Sequence, residues 1–100
     1  MGELGGRMKL IEDKNRFYVN DEEGYLLAEV TWIEKNGMYY VDHTYVNEIL
    51  RGQGIAGKLV DVIVDKAKQD EVKIIPVCPY VVKKFDNEPD KYAFVDGRIA

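Results

Sequence analysis

One cysteine, three prolines and no long apolar run place several classes of protein out of reach of this 100-residue chain. Cys78 has no partner for an intramolecular disulfide, and no charged-then-apolar leader opens the chain, so a reducing cytoplasm is the expected compartment. The longest apolar stretches, such as Ile74 to Val82, are broken by Pro76 and Pro79. They fall far short of the ~20 residues that cross a bilayer, so a soluble protein without a membrane partner is expected. Basic residues are also scarce, with 14 Lys and Arg against 18 Asp and Glu and a net charge of −4. That balance argues against nucleic acid or an anionic lipid surface as the main partner, and any phosphate must be held locally. Internal repeats and low-complexity segments are absent from the sequence.

What is present suits one small core. Hydrophobic residues make up 46% and charged residues 32% of the chain, an ordinary globular balance, and the length matches one domain of ~100–200 residues. Residues 1–7 read as a flexible tail and residues 8–100 as the domain. Met1-Gly2 does not make a myristoylation signal, because Gly6 stands where Ser or Thr is needed.

The punctuation predicts the elements. Phe17-Tyr18-Val19 is a short β-rich run closed by the polar cluster Asn20 to Gly24, a hairpin connection. Tyr25 to Glu34 follows as a strand, with Leu26, Ala28, Val30 and Trp32 on one parity, and Lys35-Asn36-Gly37 turns the chain. Met38 to Val46, rich in Tyr, Val and Thr, completes an antiparallel meander. From Ile55 to Asp70 the period changes: Ile55, Ala56, Leu59, Val60, Val62, Ile63 and Ala67 share one helical face. Val72 to Cys78 reads as a compact strand. Strand, helix and strand in succession imply a right-handed crossover, with Met38 to Val46 and Val72 to Cys78 parallel neighbours. Tyr80 to Phe85 and Pro89 to Val95 read as short helices. The fold class is therefore mixed α+β, an antiparallel meander leading into a β-α-β crossover.

The run Arg51-Gly52-Gln53-Gly54-Ile55-Ala56-Gly57-Lys58 lies after a strand and opens a helix. Unpaired N–H groups in a first helical turn, the helix dipole and glycines that allow close approach together favour phosphate oxygens there. Three motifs overlap on it. Gly52, Gly54 and Gly57 satisfy G-x-G-x-x-G, but the following strand, Val72 to Cys78, ends in no acidic residue for a ribose. Gly52 to Lys58 satisfies G-x-x-x-x-G-K, but Leu59 stands where a nucleotide triphosphatase needs Ser or Thr for magnesium. Arg51-x-x-Gly54-x-Ala56 fits a third pattern, Q/R-x-x-G-x-G/A.

Through that loop, the order of elements around it and the closing Cys78-Pro79-Tyr80, the chain resembles a compact, stand-alone branch of the GNAT superfamily of acetyl-coenzyme A dependent N-acetyltransferases. The resemblance runs from about Tyr25 to Tyr80. It implies acetyl-coenzyme A as cosubstrate, no metal, and transfer of acetyl to an amine of a small molecule or protein by a monomer or homodimer. It further implies that Gln53, Gly54, Ile55, Ala56 and Gly57 wrap the pyrophosphate with main-chain N–H groups, with Arg51 and Gly52 beginning the loop and Lys58 beside it. Two parallel strands would splay, and Thr44, Tyr45 and Val46 would offer main-chain contacts to the pantetheine arm in the gap.

Cys78 and His43 lie near one edge of the parallel pair, so thiol and imidazole are expected to come within reach of each other. The resemblance leaves two routes open. In direct attack His43 or Glu48 serves as base and Tyr80 protonates the leaving thiolate. In a covalent route Cys78 is acetylated first. Lys83 and Lys84 read either as a solvated helix face or as a contact to the adenosine 3′-phosphate. Larger family members carry further helices and strands around the acceptor that this length does not accommodate. The acceptor side is therefore expected to be open, small or shared with a second subunit. A coenzyme A or acyl-coenzyme A binding module without turnover, and a purely structural domain, are the rival readings.

Overall fold

A computed structural model describes residues 9–98; the expected tail of residues 1–7 lies outside the described residues. The elements in order are β1 (Ile11–Asp13), β2 (Arg16–Asn20), β3 (Leu26–Lys35), β4 (Met38–Val46), a 3₁₀ turn (Glu48–Leu50), α1 (Ile55–Asp70), β5 (Lys73–Pro76), α2 (Pro79–Asn87) and α3 (Pro89–Tyr92). The strands form one sheet in sequence order. β1 to β4 are antiparallel, and β5 joins β4 in parallel. The predicted meander, crossover and mixed α+β class are those of the molecule. β1 is an addition: all three of its residues are exposed, so it carries no apolar alternation from which to read a strand.

Local chemistry sets the boundaries. Asn36 and Gly37 both have positive φ, +55° and +71°, the signature of the tight hairpin turn whose twist matches its flanking strands. β3 buries Ala28, Val30 and Trp32 of the parity read from the sequence, but at its start Leu27 is buried in place of Leu26, where the register with β2 shifts. α1 keeps its predicted limits and buries Ile55, Leu59, Val60, Ile63, Val64 and Ala67 against β3, β4 and β5. Leu59, at 0% exposure, represents about 1.5–3 kcal/mol of hydrophobic stabilisation. α2 adds Val81 and Phe85 to this core, and Phe85 stacks on Tyr92 of α3 at 4.5 Å.

The expected strand Val72 to Cys78 is shorter at both ends. Val72 still belongs to the close of α1, its N–H donating to the Ala67 carbonyl at 3.0 Å. Pro76 ends the ladder and Pro79 opens α2 at its first turn, which makes Cys78 a helix cap rather than a strand residue. α2 begins one residue earlier and runs longer than the stretch Tyr80 to Phe85, and α3 stops at Tyr92 rather than Val95. Beyond α3 the chain returns to the outer edge of β5. Ile74 N–H donates to the Val95 carbonyl, and Gly97 N–H donates to the Ile74 carbonyl at 2.7 Å. Pro76 offers no N–H, so this edge is poorly suited to adding another strand.

At the far end of α1 the Tyr39 hydroxyl donates to Asp70. Lys66 reaches the same Asp70 at 3.1 Å and Glu12 at 3.3 Å. These contacts tie β1 and β4 to the end of α1. Among the described residues, no helix is long and apolar enough to cross a membrane.

Candidate active site

The site begins with one extra residue. Trp32 pairs with Val41 and Thr31 with His43, so Asp42 has no partner on β3. It is a β-bulge, held by a hydrogen bond from Thr31 Oγ1 to Asp42 Oδ1 at 2.8 Å. Alternation along β4 restarts beyond it. Thr44 pairs with buried Val30 and takes the helix-facing side, whereas His43 pairs with Thr31 and takes the opposite face.

On its other edge β4 loses its neighbour at the same level. The parallel ladder runs from Met38 and Lys73 to Val41 and Pro76 and ends there. The N–H groups of Val77 and Cys78 both converge on the Val41 carbonyl, each at 2.9 Å, and β4 continues to Val46 without β5. Asn47 N–H donates to the Leu27 carbonyl at 2.7 Å. By strand alternation, the main-chain groups of Val46 and Thr44 then point away from β3 into the gap, and those of Tyr45 point to β3. Of the three residues expected to offer main-chain contacts, Val46 turns both of its groups to that side, and Thr44 turns its carbonyl there while its N–H meets the Cys78 thiol.

Cys78 borders the gap. Its Sγ lies 3.4 Å from Thr44 Oγ1, and the residue is buried. Burial pushes the thiol up, but hydrogen bonding to the Thr44 hydroxyl and to main-chain N–H groups of Val81, Tyr80 and Thr44 outweighs it. The net effect is a thiol held below its ordinary value. The expected closeness of Cys78 and His43 is not what the fold provides. The bulge carries the imidazole to the opposite face of the sheet, where Nε2 lies 3.4 Å from Glu29 Oε2. Without Asp42 as an extra residue, His43 would share the parity of buried Val41.

The glycine-rich loop follows a 3₁₀ turn in which Asn47 Oδ1 accepts from Ile49 N–H at 3.1 Å. Glu48, one of two residues considered as base, is exposed on this turn. Gly52 and Gly54 take positive φ, +82° and +69°, and a Cβ at either would meet none of the described residues within 4 Å. Gly54 caps α1 and, among the described residues, no side chain caps its first turn, where the N–H groups of Ile55, Ala56 and Gly57 lack intrahelical acceptors. Ile55 itself is buried, while Arg51, Gln53 and Lys58 are exposed.

α2 meets this turn from the side. A Cβ on Gly57 would lie 3.7 Å from both Tyr80 Oη and Lys84 Nζ. Lys84 is paired with Glu88 at 3.1 Å, and Lys83 is exposed beside it. Open glycines, first-turn N–H groups, the exposed Arg51 and Lys58, and a strand gap edged by main-chain groups of β4 fit a ligand that joins a phosphate to a linear arm, as coenzyme A does. Among the described residues no group of His, Cys, Asp and Glu is arranged to hold a metal ion.

Sequence reading did not single out Glu29, Arg16, Thr31 or Asp42. A hairpin register counted back from Asn36-Gly37 places β3 against β4, but an unbroken count sets Thr31 opposite Asp42. The bulge is not signalled by residue type.

Comparisons with known proteins agree with this architecture. A family model described as GCN5-related N-acetyl-transferase matches residues 16–95. The solution structure of a GCN5-like protein from Staphylococcus aureus is 33% identical, with 96% of this chain and 90% of that one covered and a TM-score of 0.72. A ribosomal-protein-alanine N-acetyltransferase from Brucella melitensis is 28% identical over 76% of this chain and 62% of its own, with a TM-score of 0.53. An acetyltransferase-like structure from Clostridium acetobutylicum, solved with acetyl-CoA, shares the fold at 22% identity and a TM-score of 0.53, covering 70% of this chain and 55% of that one. The chain thus spans nearly all of the first of these and little more than half of the other two.

Proposed function

We propose that this chain, which belongs to the GCN5-related N-acetyltransferase family, binds acetyl-coenzyme A in the gap between β4 and β5 and transfers its acetyl group to an amine. The observation that carries the reading is the end of the ladder at Val41 and Pro76 beside the uncapped first turn of α1. The N–H groups at Gln53 to Gly57 would hold the pyrophosphate, with Arg51, Gly52 and Lys58 beginning and flanking the loop. Thr44 and Val46 would pair with the pantetheine arm as a neighbouring strand does. Coenzyme A supplies an activated thioester; the rest of the chemistry falls to this chain. A main-chain N–H of β4 aimed at the thioester oxygen stabilises developing negative charge, an effect typically worth about 2.7–4 kcal/mol. His43 accepts a proton from the acceptor amine, and the leaving thiolate takes a proton from Tyr80 at the opening of α2 or from solvent.

One observation favours a second route. The thiol of Cys78, held below its ordinary value by Thr44 and the opening of α2, is suited to take the acetyl group before the amine does. A reduced thiol also suits a cytoplasmic setting. Coenzyme A release with a panel of amines tests the reading: amine-dependent release supports a transferase. Saturable binding without release on any amine replaces it with a binding module. Intact mass after incubation with acetyl-coenzyme A separates the routes. An adduct of acetyl size that disappears in Cys78→Ala supports the covalent one, and turnover retained in Cys78→Ala with no adduct supports direct attack.

A further inference from the structure

On the sheet face opposite the helices, four side chains form a connected row. The Arg16 guanidinium lies 3.8 Å over the ring of Tyr18 and places Nη2 2.6 Å from Glu29 Oε1. The other carboxylate oxygen, Glu29 Oε2, lies 3.4 Å from His43 Nε2. The Glu29 side chain is only 15% exposed, whereas that of His43 is 51% exposed. A largely covered carboxylate thus backs an imidazole that is half exposed.

We propose that Glu29 is a positioning residue for acetyl transfer. It holds the proton of His43 on Nε2, so that Nδ1 presents its lone pair to the acceptor amine on this face. The inference rests on the transferase reading above and adds to it the side from which the amine arrives and the group that prepares its base. A carboxylate at one ring nitrogen accepts from its N–H and leaves the other nitrogen as the acceptor. Arg16 prevents the carboxylate from turning away, because it occupies Oε1 and is itself held by Tyr18.

The row lies beside the gap. His43 directly precedes Thr44, whose side chain meets Cys78 on the helix-facing side, so the two faces of β4 present different chemistry to the same opening. An acceptor ammonium gives one proton to His43 Nδ1. The freed nitrogen lone pair forms the C–N bond to the thioester carbonyl carbon while the C–S bond breaks. The second nitrogen proton neutralises the coenzyme A thiolate, by way of Tyr80 or solvent, and His43 returns its proton to solvent.

The test combines imidazole ¹⁵N NMR with steady-state kinetics on Glu29→Ala, Glu29→Gln and His43→Gln. Wild type should show one dominant tautomer with the proton on Nε2, and Glu29→Ala a mixture. Glu29→Ala should lower kcat at least about tenfold, and His43→Gln ~10²-fold or more, with KM for acetyl-coenzyme A unchanged in both. Glu29→Gln keeps an acceptor for Nε2–H and should recover part of the loss. In the double variant, removing Glu29 should cost nothing beyond the loss from His43→Gln alone, as expected of residues that act as a unit. Unchanged acetyl-coenzyme A binding reports that each variant is folded. Wild-type nitrogen shifts and kcat in folded Glu29→Ala would overturn this inference and leave the transferase reading standing. A wild-type protein with no turnover on any amine would overturn both.

Discussion

Thr44 Oγ1 lies 3.4 Å from Cys78 Sγ, just past the last rung of the β4–β5 ladder at Val41 and Pro76. Two local features produce the contact. The bulge at Asp42 turns Thr44 to the helix-facing side, and Pro79 turns Cys78 out of its strand and into the cap of α2. A polar pair therefore stands at the mouth of the gap.

Replacing Thr44 by Val removes a hydroxyl that stabilises the Cys78 thiolate. Burial then opposes ionisation with less compensation, so the thiol pKa rises. Alkylation by iodoacetamide should be slower at neutral pH, and the midpoint of its rate–pH profile should move upward. A midpoint equal to that of wild type would show that the hydroxyl does not act on the sulfur.

Glu71 closes α1 with φ +57°, the left-handed region where a side chain costs about 1–2 kcal/mol and glycine almost nothing. Glu71→Gly gives part of that back through the freer unfolded chain. The net expectation is a gain of about 0.5–1 kcal/mol in urea unfolding, with a Tm several degrees higher. A loss of stability would mean that the Glu71 side chain makes a contribution larger than its backbone cost.

Tyr39 and Asp70 make stability depend on pH at both ends of the scale. Burial, followed by the hydrogen bond to Asp70, raises the Tyr39 phenol above its ordinary value. Its contribution is complete below the unfolded pKa of about 10 and is lost as pH rises beyond it. Hydrogen bonds from Tyr39 and then Lys66 lower Asp70. That contribution is present above the unfolded value of about 3.9 and is lost as pH falls below it. Tyr39→Phe should cost about 0.5–1.5 kcal/mol at pH 7 and flatten the loss of stability above pH 10. An alkaline limb unchanged in the variant would assign it to other groups.

Much of this was legible from residue order because it rests on local rules. Asn36-Gly37 specified its turn, the 3.6-residue period specified α1 from Ile55 to Asp70, and the apolar parity of Ala28, Val30 and Trp32 identified the buried face of β3. The parallel pairing of β4 and β5 followed from the crossover. What escaped depends on relations between strands. β1 is held by pairing rather than by a buried face. Asp42 is an extra residue only relative to its neighbour, and its effect is to move His43 from Cys78 to Glu29. Glu29 looked like an ordinary outward residue of a strand, since nothing near it in sequence announces Arg16 on one side and His43 on the other.

If the loop and the strand gap together hold acetyl-coenzyme A, calorimetric titration of wild type and Gly54→Asp separates the two proteins. Gly54 caps α1 at φ +69°, in open space. An aspartate there brings a carboxylate to the first-turn N–H groups and repels a phosphate. Wild type should bind saturably and one-to-one, and a Gly54→Asp variant with an unchanged circular dichroism spectrum should not bind. Equal affinity in the two proteins, or no binding by wild type, would rule out this loop and gap as the coenzyme A site.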